Sequence, residues 1–280
     1  MKQKFLLLSI AGLIIVFVIY LGAKTYLPVD SKKNASPKTP QPFDIQLFIS
    51  NSRSKLSADK QVKVRQLESV ADQTKDSTAL LNLAGYWKDS CGAPSVAAYY
   101  YDLLANLVDS KKNLNFASQF YIECIRSEND PMLIEWESNH AISLFDKALK
   151  LDPGNTDLKI GRASCFIFGK GRSGDPQQTM QGIMSLLEIV RKDSTNMKAQ
   201  KMLGIGGFVS AQYDKAIARL EKVVAAEPDD VEAVVFLADS YAAKGDLTLA
   251  EKWYEVSKRM INDEHYSREV DQRIRELRKK

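Results

Sequence analysis

The chain has 280 residues, of which 45% are hydrophobic and 26% charged, and its formal net charge is +4. This hydrophobic share excludes a disordered chain. The 39 basic and 35 acidic residues are spread along the whole length, which excludes the concentrated basic face that nucleic-acid binding needs. Cys91, Cys124 and Cys165 lack any CxxC spacing, so we expect packing residues rather than disulfides or zinc ligands.

The first element is an uncharged run of 19 residues, Phe5–Ala23, with Lys2 and Lys4 before it and Lys24 after it. A helix of this length spans about 28 Å, close to the hydrocarbon thickness of a bilayer. A cleaved signal peptide is the alternative. Its apolar region usually covers only about 7–15 residues and ends at small residues, which this run does not match. We therefore predict that residues 1–26 form an uncleaved, single-pass transmembrane anchor.

A linker comes after the anchor. Residues 27–44 contain four prolines among lysine, serine and asparagine, and they show no apolar periodicity. This composition predicts an extended spacer between the membrane and the next domain. Lysines flank the apolar run on both sides, so the positive-inside rule nearly cancels. Signal anchors with a very short first tail usually export the domain on the C-terminal side of the span, so we expect the soluble domain on the exported (periplasmic) side.

From Ile45 onward the apolar pattern has the period of helices, and no run alternates as a strand would. Ser57 is the expected N-cap of a helix whose apolar stripe includes Val64 and Ala71. The pattern over residues 45–140 predicts a divergent helical part, with an irregular stretch around Pro131.

A 34-residue repeat organises the second half of the chain. Residues at this spacing form two sets: Gly182, Ala216 and Ala250, and Leu186, Leu220 and Tyr254. The same internal spacings occur once more upstream, at Ala141, Phe145, Ala148 and Pro153, but there they precede their counterparts by 41 residues. The seven additional residues fall in a stretch that we predict to be a long loop, Gly169–Pro176. Small residues such as Gly204 would let two helices approach closely, while large ones fill the space beside them.

This spacing of a small residue, a large apolar one, another small or aliphatic one and a proline resembles the tetratricopeptide repeat, in a membrane-anchored bacterial form. The sequence departs from the family pattern at Lys159, Ser194 and Gly207. The resemblance implies an all-α fold, a tetratricopeptide-like α-solenoid of stacked antiparallel helix pairs. Its repeats would cover residues 141–263 and a capping helix residues 264–280.

Apparent chemical motifs do not change this interpretation. Gly169–Gly174 matches GxGxxG, but a dinucleotide site requires that motif between a strand and a helix. His140 and His265 have no metal-ligand spacing. We therefore expect no enzymatic activity, no cofactor and no metal.

The resemblance also implies a groove, lined by the first helix of each pair, that holds a peptide or a helix of a partner protein. The residues it places there are Ile160, Ser164, Phe168, Lys198, Lys201, Ile205, Phe208, Val235 and Asp239. The alternative is that these are ordinary solvated and packing residues. Two functions stay open: a non-catalytic, membrane-anchored scaffold, or an accessory subunit of one envelope biogenesis, cytochrome-maturation or secretion complex. Neither function requires nucleic acid or a small-molecule substrate.

Overall fold

The computed structural model describes residues 43–173 and 176–279, and these form thirteen α-helices without a strand. The predicted anchor Phe5–Ala23 and nearly all of the linker lie outside the described residues. None of the helices within the described ranges is both long enough and apolar enough to cross a bilayer.

The helices are α1 (Ile45–Ser54), α2 (Ala58–Thr74), α3 (Ser77–Asp89), α4 (Pro94–Leu107), α5 (Lys111–Ser127), α6 (Pro131–Leu151), α7 (Thr156–Ser164), α8 (Pro176–Lys192), α9 (Met197–Val209), α10 (Tyr213–Ala226), α11 (Val231–Lys244), α12 (Leu247–Ile261) and α13 (Glu264–Leu277). They belong to two compact units, and the chain passes from one to the other between residues 162 and 163. The predicted start of the repeats, Ala141, lies inside α6. This position therefore marks the register of the repeat and is not a boundary between the two units.

The first unit, residues 43–162, contains the hairpins α3–α4 and α5–α6, preceded by α1 and α2. Trp87, Tyr121 and Phe145 are fully buried and form the centre of its core. Ser57 occupies the N-cap position of α2 as predicted, although its side chain makes no capping hydrogen bond. The hydrophobic effect of these large side chains is what holds the hairpins together.

Helix α6 differs from the prediction of an irregular stretch around Pro131. Pro131 is the first residue of this helix, where its missing N–H costs no hydrogen bond. The Asp130 carboxylate caps the same end by accepting from the Met132 N–H at 2.9 Å. The helix is 21 residues long, whereas α10 has 14. It is therefore about two turns longer.

The second unit, residues 163–279, confirms the 34-residue register. Leu186, Leu220 and Tyr254 have no exposed surface, and Ala216 and Ala250 are equally buried. Helices α9 and α10 form one hairpin and α11 and α12 the next, while α13 packs on α12. Helix α13 lies within the residues 264–280 predicted as a cap, and its Val270 and Ile274 are buried.

The predicted loop Gly169–Pro176 is largely helical instead. Helix α7 continues into a π-helical turn, Cys165–Gly169, and then into a 3₁₀ turn, Lys170–Ser173. All five residues of the π turn are buried. Gly171 lies so close to the Thr179 side chain that a Cβ atom would collide with it. The described residues of this stretch thus extend the first helix of the pair through a buried π turn and a 3₁₀ turn.

Candidate protein-interaction surface

The nine predicted groove residues do not form one exposed face. Ile160 lies in the first unit and the other eight lie in the second. Six of the nine are buried: Ile160, Ser164, Phe168, Ile205, Phe208 and Asp239. Lys198 is exposed, and Lys201 and Val235 are partly exposed. The exposure that the prediction assumed is therefore wrong for those six, whereas the role of the set in binding stays a prediction.

Aromatic packing explains the burial of Phe208. Its ring lies 5.6 Å from the Phe236 ring of α11, nearly perpendicular to it, and 6.0 Å from the Tyr213 ring of α10. Edge-to-face contacts of this kind are favourable beyond simple area burial. Phe208 therefore joins neighbouring helix pairs inside the stack.

Lys201 is held by ion pairs between α9 and the start of α11. Its Nζ lies 2.7 Å from Asp230 Oδ2 and 3.2 Å from Glu232 Oε2. Burial alone would lower the pKa of this ammonium group, but the Glu232 and Asp230 carboxylates together raise it above its ordinary value. We call Lys198, Lys201, Glu232 and Val235 the ion-pair surface. It combines charge with a small apolar area on the first helices of two successive pairs.

Asp239 is engaged by the capping helix. The Tyr254 hydroxyl donates to Asp239 Oδ1 at 2.6 Å, and Arg273 Nη2 of α13 donates to the same oxygen at 2.8 Å. Burial raises the pKa of the Asp239 carboxyl, and the Arg273 guanidinium opposes that shift. Sequence reasoning missed Arg273, because only the apolar spacing of α13 was informative.

A second polar cluster lies in the first unit around His140. His140 Nδ1 is 2.5 Å from Oδ2 of Asp102, a buried carboxylate, and the His140 ring lies 4.1 Å from the Trp136 ring. The sequence indicated that His140 is at the surface or partly buried, and its side chain is 37% exposed. Nothing in the sequence signalled Asp102, because the contact joins residues 38 positions apart.

Glu137, like Asp239, is an acidic side chain without exposed surface. Neither of its carboxylate oxygens has a hydrogen-bond partner of normal geometry among the described residues. Burial raises the pKa of this carboxyl to about 8, although the Ser95 hydroxyl opposes the shift.

Cys124 and Cys165 are buried as predicted, while Cys91 is partly exposed. Over residues 43–173 and 176–279, no three His, Cys, Asp or Glu side chains are placed to hold a metal ion.

Comparison with known proteins agrees with this geometry. Residues 208–264 match the family model for the tetratricopeptide repeat. A solved thermophilic tetratricopeptide-repeat protein from Thermus thermophilus is 15% identical, covers 72% of this chain and 98% of its own, and has a TM-score of 0.54. One from Parabacteroides merdae is also 15% identical, covers 83% of this chain and 96% of its own, and has a TM-score of 0.50. These two likenesses concern the fold alone.

A curated relative is similar to part of the chain. It comes from Haemophilus influenzae, and its name assigns it to cytochrome c-type biogenesis (CcmH). The two are 28% identical over 106 residues, which is 38% of this chain and 22% of the relative. The chain thus spans less than a quarter of that relative's length. Residues 208–264 thus match the tetratricopeptide-repeat model, and the all-α fold of the described chain is similar to that of tetratricopeptide-repeat proteins.

Proposed function

We propose that this protein is a non-catalytic, membrane-anchored scaffold whose repeats bind a segment of a partner protein. The ion-pair surface is the observation that carries this proposal. Lys201 is fixed there by two carboxylates, so its side chain loses little freedom on binding. On the same two helices, Lys198 is exposed and Val235 is partly exposed. A preorganised surface with mixed charge and apolar area fits a peptide better than it fits a catalytic centre.

The test is a charge reversal on this surface. Lys198→Glu should lower recovery of the native partner from detergent extracts, because charge steering is lost while the buried packing stays intact. Lys63→Glu, at an exposed position of α2, is the matched control and should change nothing. Equal recovery with both variants, at native circular dichroism, would move the binding surface away from the second unit.

The similarity to the Haemophilus influenzae protein favours a second candidate, an accessory subunit of one cytochrome-maturation complex. This candidate requires one stable partner at fixed stoichiometry, whereas a general scaffold would hold several weak ones. Affinity purification of the tagged full chain, followed by quantitative mass spectrometry, distinguishes them. Deletion of the gene should also lower covalently bound haem in c-type cytochromes, and unchanged haem would exclude the second candidate.

The proposed topology places the repeats on the exported side, with Phe5–Ala23 in the membrane. Its support is the length of the apolar run in the sequence. Protease added to sealed cells with a permeable outer layer should degrade the repeats if they are exported. Full protection until detergent is added would place them on the inner side.

A further inference from the structure

We propose that the first unit carries a second protein-binding surface, on α4 and α6, which takes an amphipathic helix with an acidic edge. We call this surface the α4–α6 face, and it consists of Tyr99, Leu103 and Leu107 of α4 and Trp136, His140 and Lys147 of α6. It lies on the second helices of the pairs, whereas the proposed groove lies on the first helices of the second unit. The inference therefore goes beyond the proposed function and does not depend on it.

The two helices present parallel rows of side chains. The Tyr99 and Trp136 rings lie 6.3 Å apart, and Asp102 binds His140 further along. Lys147 Nζ donates to Asn106 Oδ1 beyond that. Residue numbers rise in the same direction along both rows, so the helices run parallel. A partner helix can lie lengthwise over such a double row, as helices do in other helix-lined grooves.

The face offers apolar area that residues 43–173 and 176–279 leave exposed. Leu103 is 38% and Leu107 is 50% exposed, and both belong to the same side of α4 as Tyr99. Trp136 and Tyr99 are partly exposed at one end. Tryptophan and tyrosine are the residues that most often dominate binding energies at protein interfaces.

The buried Asp102 carboxylate fixes the orientation of the His140 ring. Besides His140, the Asp102 carboxylate accepts from Asn106 Nδ2 at 2.5 Å and from the Tyr121 hydroxyl at 3.4 Å. A carboxylate accepts hydrogen bonds, so Nδ1 carries the proton and Nε2 is the nitrogen left for a partner. Burying a carboxylate is costly unless it is well paired, and the structure uses one to orient a half-exposed ring. That arrangement positions His140 for an external contact.

The occupant can be inferred from the residues that already lie on this face. The Phe43 ring, just before α1, is 5.6 Å from the Trp136 ring, and Gln46 Nε2 donates to the Tyr99 hydroxyl at 3.1 Å. The start of α1 and the residue before its N-cap thus cover one end of the face, with the Gln46 amide and the Phe43 ring. The rest of the face, with Leu103 and Leu107 on α4 and His140 and Lys147 on α6, continues from the part that Phe43 and Gln46 cover. Lys147 borders it, so acidic side chains on the partner helix would complement the charge of this lysine.

Site-specific photo-crosslinking in the full-length protein, in cells, tests this inference. A benzoylphenylalanine at Leu107 should capture one partner segment that is helical, amphipathic and acidic along one edge. The matched control is the same group at Val62 of α2, which is 66% exposed. The captured segment, made as a synthetic peptide, should bind the purified protein. His140→Ala and Lys147→Glu should each weaken that binding about tenfold or more.

Two further variants keep the result interpretable. His140→Gln can still donate to Asp102, so it should preserve the fold while removing the Nε2 nitrogen that is left for the partner. Lys198→Glu should leave this binding unchanged, because it alters only the ion-pair surface. Equal capture at Leu107 and Val62, or capture of a second copy of this chain or of a basic or non-helical segment, would overturn the proposal. A peptide whose affinity survives both His140→Ala and His140→Gln would do the same.

Discussion

At the scale of single residues, the glycines of α9 show why this stack tolerates so little change. A Cβ atom on Gly204 would lie 2.6 Å from Leu220 Cγ, and one on Gly207 would lie 3.1 Å from the Ala216 backbone nitrogen. Both distances are shorter than ordinary contacts between carbon or nitrogen atoms. The departure from the family pattern at Gly207 therefore has a steric reason, which is that α10 passes directly over this position.

Replacing Leu220 by alanine should destabilise the second unit by ~2–5 kcal/mol, the usual cost of a cavity left by leucine. Leu220 has no exposed surface and lies against Gly204. Urea denaturation followed by circular dichroism measures the change. Met184→Ala, at an exposed position of α8, is the control and should change the free energy of unfolding by less than about 0.5 kcal/mol.

Gly204→Ala should cost ~1–3 kcal/mol because its methyl group overpacks the space that Leu220 fills. In the Leu220→Ala background the same methyl group should cost far less, since its obstacle is gone. A double-mutant cycle by chemical denaturation measures this coupling. Strictly additive free energies would contradict the close approach of α9 and α10.

Glu137 should make the stability of the first unit depend on pH. Its folded-state pKa of about 8 lies above the ordinary value of 4.5, so its neutral form is compatible with burial. The favourable contribution is complete below pH 4.5 and is lost as the pH rises towards 8, with a slope of ~1.4 kcal/mol per pH unit. Glu137→Gln should remove this slope in denaturation curves between pH 5 and 8. Glu188→Gln, an exposed control, should keep it.

At the scale of helices, the two ends of the repeat region differ in the helix found there. Helix α6 gains about two turns at its start, which bring Trp136 and Glu137 into the first unit. Helix α13 ends the second unit by joining apolar burial to an ion pair, since Arg273 reaches Asp239 beneath it. The cap therefore closes the last pair with both an apolar and a charged contact.

Arg273→Ala should destabilise the second unit by ~3–5 kcal/mol, because it leaves the Asp239 carboxylate buried without its cation. Adding Asp239→Asn should restore part of this loss, since the orphaned charge is removed as well. Thermal melts of the single and double variants provide the measurement. Arg275→Ala, an exposed neighbour on α13, should melt like the native protein. A double variant no more stable than Arg273→Ala would argue against the ion pair.

At the scale of the whole molecule, the repeat register was predictable and the surface was not. Leu220 and Tyr254 recur at a fixed spacing because each repeat needs a large buried side chain at the same position between its helices. The sequence alone therefore revealed them. Exposure of Phe208 could not be judged this way, because Phe236 of the next repeat covers it. The His140–Asp102 contact was equally hidden. It depends on the side-by-side placement of α4 and α6, which has no periodic signal.

The anchor is also a property of the whole chain. We expect Phe5–Ala23 to remain on the mature protein, because the run is long enough to span a bilayer and lacks a good cleavage site. Intact-mass spectrometry of the protein extracted from native membranes measures this directly. A mass corresponding to a start near Lys24 would show that the segment is a cleaved signal peptide.

The π turn at Cys165–Gly169 lets the chain hold one additional residue with little change in the rotational phase of the turn after it. A π turn holds one residue more than an α turn, so about five π-helical residues and four α-helical residues advance the chain by nearly the same angle. Deleting a single residue here would let the turn relax to an ordinary α-helix, with Gly171 still facing Thr179. Deleting two residues would rotate the 3₁₀ turn by about 100° and break that contact. The chain at this point should therefore tolerate the loss of one residue better than the loss of two.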